Sequence, residues 1–327
     1  MKTQRLTGGF ALMLTAFALA GALPGNSSAQ GFPTKSIRLL YPYAAGSGPD
    51  ILGRMFAADA AKTLGQPIVF ENRPGASGRL GLQVMRDAPP DGYVLNLVND
   101  GNTVSQPAQD PEFKFEPGRD YAPISILFEA PLVFLARPNL PFKDLKGFVA
   151  YAKANPGKIN FAVASGASSQ FLAERLVRTL DVDLTFIGMK GGAEAASATL
   201  GGHTDMFFST TGMKPNVDSG KLLALASSGK ERWKPFAGAP TFRESGVPVI
   251  YAASYHLIAA AGTPRDTVLA LHRAFDAASR APETVKRMED LAYTPVTGMP
   301  PDEVTATIRS EINVWIPILR KPGGKAQ

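Results

Sequence analysis

The sequence predicts an α/β fold, and three observations carry that expectation. Short apolar runs of strand length alternate with stretches of helical periodicity. Several of the joints between them are Gly/Ser-rich turns. The chain has 327 residues, 45% of them hydrophobic and 19% charged, which suits about two folded domains rather than a disordered or fibrous chain.

Residues 1–29 read as a secretory signal peptide. Lys2 and Arg5 make a basic start, residues 10–23 are apolar but short for a bilayer span, and Ser27-Ser28-Ala29 places small residues before Gln30. Cleavage near Ala29 and a periplasmic location are expected; an uncleaved membrane anchor is the competing reading. The chain carries 34 basic and 28 acidic residues, a formal +6, and loss of Lys2 and Arg5 lowers it to +4. That excess is mild and diffuse. No basic run is interleaved with aromatics, so nucleic acid is not an expected partner.

The mature elements follow in order. Residues 36–43 form an apolar strand. A helix over 50–64 carries Ile51, Leu52, Met55 and Phe56 inward, with Asp50 as its N-cap and Gly65 just past its end. Residues 68–71, 93–98, 124–128, 132–136, 159–163, 184–187 and 222–226 read as short buried strands. Phe171, Leu172, Leu176 and Leu180 mark a helix. Thr263-Pro264 opens another, with Val268, Leu271, His272 and Phe275 on one face. Val304, Ile308, Ile312, Trp315 and Leu319 mark a last long helix. The polar, Pro-rich stretch 100–121 reads as a loop near a domain crossing. The alternation predicts largely parallel strands.

Two turns are the candidate binding elements. Residues 41–50 (YPYAAGSGPD) join the first strand to the first helix, and residues 164–170 (ASGASSQ) join a later pair. In open α/β sheets ligands sit beyond the carboxyl ends of strands, where free amides at a helix start favour an anion. Equally, such turns are Gly/Ser-rich because turns need positive φ and caps. Enzyme chemistry finds little support. Cysteine is absent, the three histidines share no metal-ligand spacing, and Gly-x-Ser-x-Gly is missing around Ser47. No cofactor or metal is expected.

Several stretches together resemble the Bug-type extracytoplasmic solute receptors, the periplasmic binding components of tripartite tricarboxylate transporters. They are FPTKSIRLLYPY with Gly46 and Asp50, LGQPIVFENRPGA at 64–76, and PDGYVL at 90–95. Ser165-Gly166 with Ser169, Lys190-Gly191-Gly192, Leu200-Gly201-Gly202 with Asp205-Met206, APT at 239–241, ESGVP at 244–248 and AGTP at 261–264 continue the series. The resemblance runs over essentially the whole mature chain. It implies a two-domain periplasmic binding protein fold with a cleft between the domains and two crossing strands, near residues 132–136 and 255–260. Domain 1 would hold 30–131 plus 255–327, and domain 2 would hold 132–254. The implied function is reversible capture of a small carboxylate ligand by a monomer that delivers it to integral membrane transporter subunits.

Carried over by that resemblance, Tyr43, Ala44, Gly46, Ser47, Gly48 and Asp50 line one wall of the cleft. Ser165, Gly166, Ser168, Ser169 and Gln170 line the other. Arg73, Gly75, Lys190 and Gly191 stand at the rim. Arg73 either contacts ligand or fixes its own loop, and Lys190 is either a ligand contact or a solvated lysine. Several positions depart from the family pattern. Gly46-Ser47 replaces two glycines, Gln170 stands where His is frequent, and Ser254 and His256 stand where Trp and Gly are common. His256 either faces the cleft or packs on the other face of its strand. An exported hydrolase using Ser47 or Ser169 with His256, and a receptor feeding a sensor system, are the alternative functions.

Overall fold

The computed structural model describes residues 31–110 and 112–319. The signal peptide expected over 1–29 lies outside the described residues. Two sheets organise the chain. The first contains β1 (Ile37–Tyr41), β2 (Ile68–Asn72), β3 (Val94–Asn99), β4 (Tyr121–Ala130), β10 (Ala253–Ala260) and β11 (Thr294–Pro295), in the order β11-β4-β10-β3-β1-β2. The second contains β5 (Val133–Ala136), β6 (Asn160–Ala164), β7 (Thr185–Met189), β8 (Met206–Ser209) and β9 (Leu223–Ser227), in the order β7-β6-β8-β5-β9.

The strands are not largely parallel as expected. β1 pairs parallel with β2 and β3, and β6 with β7 and β8. β10 runs antiparallel between β3 and β4, and β5 antiparallel between β8 and β9. β4, β5, β9 and β10 adjoin the passages between the sheets, and β11 adds a short antiparallel pair with β4 at the sheet edge.

The first passage falls at the start of its expected span, and the second falls ahead of its span. Residues 132–136 lie largely in β5 and 255–260 in β10, well inside their sheets. The chain leaves the first sheet through Pro131-Leu132 and returns between Ser227 and Ala253. The two passages are stitched side by side. Ser228 N donates to Leu132 O at 2.9 Å, Ser228 Oγ accepts from Leu132 N at 2.9 Å, and Tyr251 N donates to Ser228 O at 2.7 Å.

Helices α2 (Arg79–Arg86), α4 (Leu145–Ala154), α7 (Lys214–Asp218) and α9 (Pro282–Asp290) lie among those that flank the sheets. The helix α1 (Gly48–Leu64) packs Leu52, Phe56 and Ala60 inward and ends at Gly65, which adopts φ 68°. Its start differs from the expectation. Ser47, not Asp50, is the N-cap, and Asp50 lies three residues further on. Likewise Thr263 does not cap α8 (Arg265–Ser279); its hydroxyl donates back to Ala260 O at 2.7 Å. Over residues 100–121, a π-type turn (Gly101–Ser105) and α3 (Gln106–Gln109) occupy part of the expected loop. Buried aromatic rings fill the second lobe: Phe134 meets Phe148 and Phe208 at 5.0 Å each. The lobes are further tied by α10 (Pro301–Leu319), whose Trp315 packs edge-on against Phe171 at 4.7 Å.

Candidate functional site

A cavity of about 310 Å³ lies between the two sheets, at the small end of ligand-pocket sizes. It is bounded by the carboxyl ends of β1, β3, β6 and β8 and by the starts of three helices. These are α1, α5 (Ser168–Leu180) and α6 (Gly192–Leu200). This is where open α/β sheets leave room for a ligand.

The first helix start is built by its own turn. Gly46 sits at φ 98°, which a residue with a Cβ rarely adopts. Its amide donates to Asp50 Oδ2 at 3.1 Å, and Asp50 N donates to Ser47 Oγ at 3.4 Å. Asp50 Oδ1 accepts from Asn72 Nδ2 at 2.8 Å and from Arg54 at 3.3 Å. The buried Asp50 carboxylate is therefore consumed in holding the turn, a reciprocal cap, and does not line the cavity. The amides of Ser47 and Gly48 make no hydrogen bond among the described residues and border the cavity.

The second helix start is similar. Gly166 turns at φ 75°, its amide donates to Gln170 Oε1 at 2.8 Å, and Gln170 Nε2 donates to Glu174 at 2.8 Å. Gln170 thus braces the turn from behind. Ser168 Oγ donates to Asp100 Oδ1, while Tyr251 Oη donates to Asp100 Oδ2. Burial raises the Asp100 carboxyl to about 6, against these hydrogen bonds. The amides of Ser168 and Ser169 are free among the described residues, as are those of Gly192 and Ala193 at the third start. Helix-start amides carry partial positive charge, so three such ends around one cavity favour an anion without any cationic side chain.

The lobes touch at the cavity floor and rim. The Tyr43 hydroxyl lies 2.9 Å from Gly166 O and 2.8 Å from Asn102 Oδ1, and burial pushes its pKa well up. A Cβ built on Gly191 would stand 3.5 Å from Ala44 Cβ, so the two turns meet there.

Of the residues singled out in the sequence, Tyr43, Gly46, Ser47, Gly48, Ser168 and Ser169 line the cavity together. Ala44, Asp50, Ser165, Gly166, Gln170 and Gly191 belong to the turns beside it without lining it. Arg73 is exposed and paired with Glu71 at 2.8 Å, and Gly75 opens the short turn after it. The Lys190 side chain is exposed; its amide donates to Glu194 at 2.7 Å. His256 is fully buried and outside the lining. Its Nδ1 is 3.2 Å from Thr103 Oγ1 and its Nε2 is 2.8 Å from Ser254 Oγ, and burial lowers its pKa to about 3. Both ring nitrogens of His256 are engaged by Thr103 and Ser254 rather than by Ser47 or Ser169, so the nucleophile–base contact of the hydrolase arrangement is not formed.

Sequence reasoning missed most of the lining. Ala193, Ala196, Ser197 and Leu200 present one face of α6, at spacings of three and four residues. Phe208, Ser209 and Thr210 follow from the end of β8, with Met213 beyond, and Leu132 and Tyr255 flank the passages. The α6 spacing was readable; its facing the cleft was not.

Two lobes, joined by paired passages and meeting over an amide-lined cavity, define the two-domain solute-binding class. Comparison with known proteins narrows it. The profile described as tripartite tricarboxylate transporter family receptor matches residues 52–323. A curated relative from Cupriavidus necator, a UPF0065 protein in the gbd 5' region, is 34% identical over 84% of this chain and 83% of its own. Protein BugT of Bordetella pertussis is 28% identical over 94% of this chain and 96% of its own. Among solved structures, MatC from Rhodopseudomonas palustris with bound malate superposes with TM-score 0.84 at 31% identity, covering 88% of this chain and all of that one. The periplasmic binding protein BugD gives 0.82 at 29% identity, with 88% and 98% coverage. The chain belongs to the tripartite tricarboxylate transporter receptor family, whose members are periplasmic solute-binding proteins working with membrane transporter subunits.

Proposed function

We propose that this chain captures a small carboxylate-bearing solute between its lobes and releases it to integral membrane subunits, without making or breaking a bond in it. One observation carries the reading. Three helix starts, with the free amides of Ser47, Gly48, Ser168, Ser169, Gly192 and Ala193, surround a single interlobe cavity. Each helix end contributes about 0.3–1 kcal/mol toward an anion, and more when partly buried. Charge-assisted hydrogen bonds add to this, so a micromolar dissociation constant, about 8 kcal/mol, is within reach. That the related MatC structure holds malate agrees with it.

The remaining assignments accompany this one. Domain 1 comprises 30–131 plus 255–327 and domain 2 comprises 132–254; membership of the two sheets supports this, with Ala253 and Ser254 already on the first. The leader is cleaved near Ala29 and the mature monomer works in the periplasm. No described helix is long and apolar enough to cross a membrane.

The test is a thermal-shift and calorimetric screen of dialysed protein against aliphatic and aromatic acids and their methyl esters. An acid that raises the melting temperature, and whose ester does not, supports the reading. Equal response to acid and ester, or turnover of any ester, refutes it.

A further inference from the structure

The cavity wall says which carboxylates fit. Beyond the amide cluster its lining is neutral: no Lys, Arg, His, Asp or Glu side chain contributes to it. The face of α6 running from Ala193 through Ala196 and Ser197 to Leu200 lines one side. Seven residues of helix rise by about 10 Å, so this wall extends that far from the amides of Gly192 and Ala193. Leu132, Phe208, Tyr255 and Met213 also line the cavity. Apart from the Asn99 amide, the polar side chains of the lining are hydroxyls, those of Ser197, Ser209 and Thr210 among them. Arg137 and Lys221 line a neighbouring groove that shares only Leu200 with this one, and Arg137 is already paired with Asp205 at 2.7 Å.

The α1 and α6 starts meet at one end of the α6 wall, where a Cβ on Gly46 would stand 4.0 Å from Ala193 Cβ, and the lining from Ala196 to Leu200 is apolar or neutral. Resting on the carboxylate reading above, we infer that the ligand is a monocarboxylate with an apolar body, a ring or chain of up to about 10 Å. A second carboxylate carried to the far end would be desolvated against methyl, methylene and aromatic groups with no opposite charge to meet it. An apolar body of the same length gains from leaving water.

The experiment is isothermal titration of the full mature chain with three probes: hexanoate, 3-phenylpropanoate and adipate. Hexanoate and adipate have the same chain length and differ by the second carboxylate. At least one monoacid is expected to bind about 30-fold tighter than adipate, or about 2 kcal/mol. Ser197→Arg, an exposed position on the α6 wall, is expected to shift the ratio toward adipate by about tenfold or more. Adipate binding as tightly as either monoacid in the unmodified protein overturns this assignment and leaves carboxylate capture standing. Failure of both monoacids to bind overturns this assignment, while carboxylate capture is decided by the acid and ester screen above.

Discussion

Gly101→Ala tests whether the lobes must close tightly for the site to exist. Gly101 begins the π-type turn after β3, in the first lobe, and its φ lies outside the left-handed region. Its backbone would tolerate alanine; the space would not. A Cβ there would overlap the carbonyl carbon of Ala167 and the carbonyl oxygen of Gly166, and would stand 2.8 Å from Ala167 Cα. These are backbone atoms of the second lobe, at the start of α5, and no flexible side chain can move aside. Ordinary carbon contacts need roughly 3.5–4 Å, so the lobes must part by about an ångström. That parting stretches the Tyr43–Gly166 and Ser168–Asp100 hydrogen bonds. Overpacking of this kind costs about 1–3 kcal/mol. Because it falls on the interlobe contact, ligand dissociation constants should rise roughly 5- to 150-fold. Calorimetry with the tightest acid of the panel measures this, and Gly238→Ala, where nothing lies within 4 Å, is the neutral control. Gly101→Ala with unchanged affinity and melting temperature would refute the reasoning.

Three more outcomes are expected. His256 is held near 3 by burial, below its unfolded 6.5, so the folded state refuses a proton that the unfolded chain accepts. Stability then falls as pH drops from 6.5 toward 3, by up to about 5 kcal/mol. Asp100, raised to about 6, tilts the other way between 3.8 and 6, so denaturant titrations at pH 7 and 4 should compare variants, and His256→Gln should flatten the acid loss. Ser169 Oγ has no partner among the described residues and borders the cavity. Ser169→Ala should therefore weaken ligand binding about 2- to 15-fold while the unliganded melt stays unchanged. Arg73 is paired with Glu71 on the exposed rim, so Arg73→Ala should leave calorimetric affinity where it is.

Local patterns in the sequence were enough for α/β layering, for both turns and for the ends of most strands. Strand propensity, a stop glycine such as Gly65 and a Gly/Ser joint are properties of consecutive residues, legible wherever they sit. The family likeness added the two-lobe arrangement because its motifs are spread along the whole chain. Helix starts were misread where two candidates compete. Ser47 and Asp50 are both good caps, and the choice fell to Ser47 because Asp50 is held by Asn72 and Arg54. Strand direction was misread because an apolar run looks alike either way along.

What only the tertiary structure decided is which side chains face one another across the lobes. His256 could face either way from its strand, and the buried hydroxyls of Thr103 and Ser254 drew it inward. Gln170 and Asp50 turned out to brace the two turns, leaving backbone amides to border the cavity. That the α6 wall from Ala193 to Leu200 faces the cleft has no local signal, since a small amphipathic helix reads the same whether it covers a core or a cleft. Charge at the site follows the same division: amides aimed at one point become an anion site only when separate segments of chain converge, and convergence is a property of packing.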